Sequence, residues 1–277
     1  MRKSFVKQPS PVLAGVVREK NVRAAIAMIR NCEYHGANVL DLHLSCLDEE
    51  ARTVESLKRI IDSTKLPILG LSYNQTYEWE PMNMTEEERV DLLWNFVEAG
   101  GAAIDMQGFT YDRPSKTEFN ANFSHMPQSF VRSAPKEVVM DEAIIEKQMA
   151  LIQRAHEAGA EVLLSTHTGV FLECDQVIEL AKYLEKRGAD ILKIVTPCQT
   201  IEQALESMRT MVELKKEVGI PVHLHCNGKA GMLTRILNPL LGGYLIFCCD
   251  GFTESSTLEQ LDLQTAKRLL DDLKKLM

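Results

Sequence analysis

Lys193 sits in the middle of an apolar run, Asp190-Ile191-Leu192-Lys193-Ile194-Val195-Thr196-Pro197-Cys198-Gln199. A run this short, preceded by Gly188 and ended by proline, reads as a buried parallel strand. Alternate strand residues share a face, so Lys193 projects with Ile191 and Val195 into whatever the sheet covers. Burying an ammonium ion is costly, and desolvation draws a lysine pKa towards neutrality. An amine in that state attacks carbonyls and forms Schiff bases. The plainer alternative is a lysine whose stem lies in the wall while its head reaches solvent or a carboxylate. A second residue favours chemistry. His167 ends another apolar run, Glu161-Val162-Leu163-Leu164-Ser165-Thr166-His167, and a lysine nucleophile needs a neighbour that moves protons at neutral pH.

The elements that must position this pair follow from hydrophobic period. Strand signals run over Pro11–Val17, Val39–Leu44, Pro67–Tyr73, Ala102–Gln107, Glu161–His167, the lysine run, Pro221–His225 and Tyr244–Cys249. Helical signals alternate with them: from Val22 to before Gly36, then Glu49–Ser63, Thr85–Val97, Ile144–Ala158, Asp175–Arg187, Thr200–Val218, Met232–Leu241 and Leu261–Leu276. Eight strands alternating with eight helices over 277 residues predict a single (β/α)8 TIM barrel spanning residues 1–277. His167 and Lys193 then lie on neighbouring strands at the barrel's active-site face. Residues 109–139 break the rhythm with an aperiodic insertion after strand four that holds Phe109, Tyr111, Phe119, Phe123, His125 and Phe130. Its place after a strand puts it on that same face, as an ordered lid or substrate-contacting loop.

Composition narrows the function. The formal net charge is −8, which argues against broad nucleic-acid binding. No apolar stretch reaches membrane length, and the N-terminus lacks a signal-peptide core. Seven cysteines without regular spacing fit reduced, structural thiols in a cytoplasmic protein.

The strand ends then carry a specific resemblance. Ser165-Thr166-His167 resembles the S-x-H of type I 3-dehydroquinate dehydratases, and Lys193-Ile194-Val195-Thr196-Pro197 their lysine strand, with the proline one place early. Lys229-Ala230-Gly231-Met232-Leu233-Thr234-Arg235 is similar to K-x-G-x-x-S-R, and Ser256 with Gln260 to the S-x-x-x-Q pair after strand eight. The resemblance implies an imine between Lys193 and a ring ketone, with His167 as general acid/base. It also implies that Arg235, Ser256 and Gln260 hold a substrate carboxylate, that no cofactor takes part, and that the chain forms a homodimer. Where the family reads ring hydroxyls, this chain departs. An acid-x-Arg on strand two is Asp41-Leu42-His43, an arginine ending strand three is Tyr73, and an acidic D-x-E on strand four is Asp105-Met106-Gln107. In the family that glutamate lies beside the histidine, so Gln107 is expected to leave His167 without an anionic neighbour. Exchanging groups that hydrogen-bond particular hydroxyls usually changes the substrate.

Three other readings compete. His223-Leu224-His225 resembles the H-x-H of metal-dependent barrels, although Glu19 is the sole acid that strand one offers. One of these histidines at the pocket and one in packing is the ordinary alternative. A class I aldolase could use the same lysine to break a carbon–carbon bond, and a catalytically silent barrel could simply bind a ligand. Together Lys193 and His167 favour a lyase that removes water from a carboxylated, hydroxylated keto acid, with no metal and a small molecule as its partner.

Overall fold

The computed structural model describes residues 2–73, 76–78, 82, 84–112, 137–253, 256 and 259–275. Nine strands and eight α-helices occur among them. The strands form one sheet in the order β7-β6-β5-β4-β3-β2-β1-β8-β9, and every recorded pairing is parallel. Parallel strands need helical crossovers, so the β/α alternation legible in the sequence carries directly into this topology. Of the insertion expected at 109–139, residues 113–136 lie outside the described residues, and so does the proposed lid with Phe119, Phe123, His125 and Phe130.

The chain divides into two compact units. The first contains β1 (Val12–Val17), β2 (Val39–His43), β3 (Ile68–Leu71), the start of β4 (Ala103–Gln107), β8 (Leu245–Cys249) and β9 (Leu261–Asp262). Its helices are α1 (Val22–Tyr34), α2 (Val54–Asp62), α3 (Glu86–Glu98) and α8 (Leu263–Lys274). β1, Val-Leu-Ala-Gly-Val-Val, is buried along its whole length, as a strand covered on both faces should be. Side-chain caps start the helices. Asn21 accepts from Ala24 N, Thr53 from Ser56 N and Asp262 from Thr265 N, while Thr85 and Glu88 close a capping box. Replacing one such cap with alanine costs about 1 kcal/mol.

The second unit takes the end of β4, then β5 (Glu161–His167, after its first residue), β6 (Ile191–Pro197) and β7 (Val222–Asn227). Its helices are α4 (Glu142–Glu157), α5 (Cys174–Glu185), α6 (Ile201–Glu217) and α7 (Thr234–Leu240).

Three helix starts fall two or more residues later than the sequence reading, each for a local reason. Residues Glu49–Ala51 form a separate 3-10 turn, because Thr53 caps a new helix behind them. The expected helix from Met232 begins at Thr234, after a 3-10 turn over Lys229–Leu233. Leu261 and Asp262 pair with Cys248 and Cys249 as β9 before Asp262 caps α8.

Candidate active site

In the second unit, strand register assembles the chemistry in two tiers. Ser165 on β5, Lys193 on β6 and His223 on β7 are register partners, so all three project from one face. Two residues further on, His167, Val195 and His225 form the next tier on that face. The lysine therefore stands on the central strand of three, with a histidine strand on either side. Lys193 is 6% exposed.

His167 is half-buried and held at two points by one carboxylate oxygen. Glu137 Oε2 accepts from the His167 backbone N–H at 2.9 Å and lies 2.6 Å from Nδ1. The expected absence of an anionic neighbour is thus overturned: Gln107 is neutral, but Glu137 supplies the charge from another segment. Gln107 itself is fully buried at the end of β4. Beyond it, Gly108 N donates to Ser165 O at 2.7 Å, which keeps β4 beside β5. A side chain at Gly108 would collide with the Glu137 carbonyl, so the glycine allows the carboxylate's segment to pass against the strand end.

On β7 the two histidines bond to each other, His225 Nδ1 to His223 Nε2 at 2.7 Å, and both are buried. Burial pushes the His225 pKa well below the ordinary histidine range, and the nearby charge of Arg235, then of His223, Lys193 and His167, pushes it the same way. Among the described residues, no group of three or more His, Cys, Asp or Glu could hold a metal ion.

Arg235 is buried at 7% exposure, so it is not a helix-surface charge. The turn after β7 places it. Gly231 packs so closely on Cys226 that a Cβ would meet it at 2.7 Å, and Thr234 Oγ1 accepts from Cys226 N at 2.8 Å. Asn238 then ties α7 to the Leu224 carbonyl. So fixed, the Arg235 guanidinium donates through Nη2 to Asn227 Oδ1 at 2.8 Å. A buried guanidinium beside a strand end suits a carboxylate ligand.

The first unit gathers the other expected residues. Asp41 and His43 lie two apart on β2, both buried, with Asp41 Oδ2 3.4 Å from His43 Nε2. Among the described residues Asp41 Oδ1 has no hydrogen-bond partner. Arg18, which the sequence reading passed over, lies 3.1 Å from His43 Nδ1 through Nη1. It also donates through Nη2 to the carbonyls of Thr76 and Tyr77. Burial holds its guanidinium below the usual arginine range. One arginine, directly after β1, thus lies beside the strand-two histidine. Tyr73 follows β3 instead of ending it, with its ring edge-on to His43 at 6.2 Å. Ser256 accepts from Thr253 N at 2.9 Å, and Ser256, Gln260 and Arg18 line one small cavity with Val16, Met28 and Asp250.

Sequence signals for the two missed residues differ. A charge closing an apolar strand, as Arg18 does, sits where parallel sheets place their ligands. Glu137 follows an aperiodic stretch and carries no periodic signal; the one hint is that Gln107 lacks the charge that a catalytic histidine needs.

Comparison with known proteins identifies the family. The family model for type I 3-dehydroquinase matches residues 14–277. A 3-dehydroquinate dehydratase of Desulfotalea psychrophila is 25% identical over 228 residues, covering 82% of this chain and 84% of that protein. A bifunctional 3-dehydroquinate dehydratase/shikimate dehydrogenase of Arabidopsis thaliana is 25% identical over 268 residues, 96% of this chain and 37% of its own length. The type I 3-dehydroquinate dehydratase of Clostridium difficile, solved with covalent modified comenic acid, superposes with a TM-score of 0.77 at 14% identity and full coverage of both chains. That of Geobacillus kaustophilus gives 0.75 at 15% identity, covering 98% of this chain and 93% of its own. These structures share the α/β-barrel fold. The chain belongs to the type I 3-dehydroquinase family.

Proposed function

We propose that the protein is a Schiff-base-forming dehydratase that removes water from 3-dehydroquinate or a related carboxylated hydroxy-ketone. The observation that carries this reading is the register that sets buried Lys193 one tier below His167 on the adjacent strand. The Lys193 amine adds to the substrate ketone, and loss of water from the carbinolamine gives the imine. The iminium withdraws electrons, so the neighbouring C–H becomes acidic and His167 removes that proton. The resulting enamine expels the β-hydroxyl, which leaves as water with the proton that His167 returns. Water then hydrolyses the conjugated imine and frees the enone and the lysine. One substrate molecule becomes one enone and one water, and the amine is regenerated.

Arg235 is assigned to the substrate carboxylate, because it is buried in the lysine's own unit and its turn is built by the K-x-G-x-x-T-R stretch. Ser256 and Gln260 keep the carboxylate role that the family gives them. Asp41, His43, Tyr73 and Gln107 replace the family's hydroxyl-reading groups, so a substrate other than dehydroquinate itself is favoured. A homodimer is proposed on the family's pattern alone.

The test is turnover of dehydroquinate and a panel of carboxylated cyclic and linear hydroxy-ketones, read by enone absorbance and product mass. Loss of one water from at least one panel member, abolished in Lys193→Met, is expected. Water loss that survives Lys193→Met, or products of carbon–carbon cleavage instead, would overturn the reading.

A further inference from the structure

Glu137 is a buried carboxylate, 3% exposed, on a residue with φ of 55°. A non-glycine residue in that region is held there by its surroundings. The surroundings are specific. Gln148 Nε2 donates to the carbonyls of Gly108 and Thr110 at 3.1 and 2.8 Å, gripping the chain as it leaves β4. Arg187 bonds through Nη1 to Gln148 Oε1 and through Nη2 to the Val139 carbonyl at 2.6 Å. The Tyr183 hydroxyl donates to that same carbonyl at 3.2 Å. One buried Gln–Arg pair therefore clasps both residues 108–110 and residue 139, and the clasp sets Glu137 against His167.

An ionised carboxylate only accepts hydrogen bonds, so the 2.6 Å contact requires the proton on His167 Nδ1. Nε2 is then the nitrogen that can take a proton. We infer that Glu137 is the positioning residue of His167, taking over from a different segment the place that a β4 glutamate holds in the family and that Gln107 has vacated here. The inference rests on the dehydratase reading for its kinetic consequences, though not for its effect on the tautomer.

The experiment compares wild type with Glu137→Gln, Glu137→Asp and the double variant Glu137→Gln/Gln107→Glu. Nitrogen NMR of the resting protein reads the His167 tautomer without substrate. A single Nδ1–H form is expected in wild type, and loss of that preference in Glu137→Gln. With substrate, kcat is expected to fall about 100-fold or more in Glu137→Gln while KM changes less than about threefold. Borohydride still traps the Lys193 adduct in that variant, and the double variant regains about tenfold in kcat by returning a carboxylate to β4. An unchanged tautomer, or a Glu137→Gln kcat within about threefold of wild type, overturns the inference. So does a fall in kcat matched by Glu137→Asp and unrelieved in the double variant, because that pattern marks a merely structural residue. Absence of any trapped adduct in wild type itself would instead count against the lysine reading, and the tautomer would still decide for Glu137.

Discussion

Replacing Gln148 with leucine removes the keystone of the clasp around Glu137 while nearly conserving side-chain volume. Gln148 is fully buried and makes three bonds: two donations to backbone carbonyls and one acceptance from the Arg187 guanidinium. The neutral bonds contribute about 0.5–1.5 kcal/mol each and the charge-assisted one about 1.5–3. Leucine returns about 1–2 kcal/mol through its greater apolar burial. A net loss of about 2–4 kcal/mol is expected, and each kcal/mol lowers the melting temperature of a chain this long by roughly 2–4 °C. Urea unfolding at equal slope and a thermal melt read it directly. The control is Gln153→Leu on the same helix, whose exposed amide bonds to Glu157 at 2.9 Å and whose loss should cost less than about 0.5 kcal/mol. A Gln148→Leu protein as stable as the Gln153→Leu control would refute the claim that this network holds the segment.

Two further outcomes follow from the same unit. Arg235→Met removes a buried cation that donates to Asn227 and is assigned to the substrate carboxylate. It should raise KM about 10- to 100-fold, with a much smaller change for an analogue in which an amide replaces the carboxylate; equal losses for both would refute the assignment. His225 gives a pH dependence. Its folded pKa is depressed, so below about pH 6.5 the unfolded chain binds a proton that the folded one does not. Its contribution to stability is whole above about pH 6.5 and is lost as the pH falls from there towards the folded value, by up to about 1.4 kcal/mol per pH unit. His225→Leu should flatten that part of the stability profile, and an identical slope would show that His225 is not the group responsible.

How much of this was legible in the sequence depends on what each feature leaves in the chain. The β/α alternation follows from apolar runs punctuated by glycine and proline. Ser165 and His167 fall on one face by counting in twos, while the register that sets Lys193 level with Ser165 comes from the structure. The burial of Arg235 was not legible, because a helix-start arginine looks the same whether its turn folds over the strand end or away from it. Thr234 and Gly231, which decide this, act through contacts with Cys226 across the turn. Glu137 was not legible for a similar reason. Its partner His167 is thirty residues away, and the clasp that sets it uses Gln148 on α4 and Arg187 in the turn after α5. Gln107 reads from the sequence as a neutral residue in the place of an acid, but the sequence does not show that Glu137 sets a carboxylate against His167 from another segment. Arg18 stands between these cases: its place at a strand end was visible, and its partnership with His43 was not.

The most direct test of the central claim, that Lys193 carries the chemistry, is borohydride reduction of the protein in the presence of the keto-acid panel, read by intact and peptide mass. The expected result is a stable secondary amine on the peptide bearing Lys193, formed with the same compound that loses water in the turnover assay and absent in Lys193→Met. Turnover of that compound with no adduct, or an adduct confined to another lysine, would contradict it.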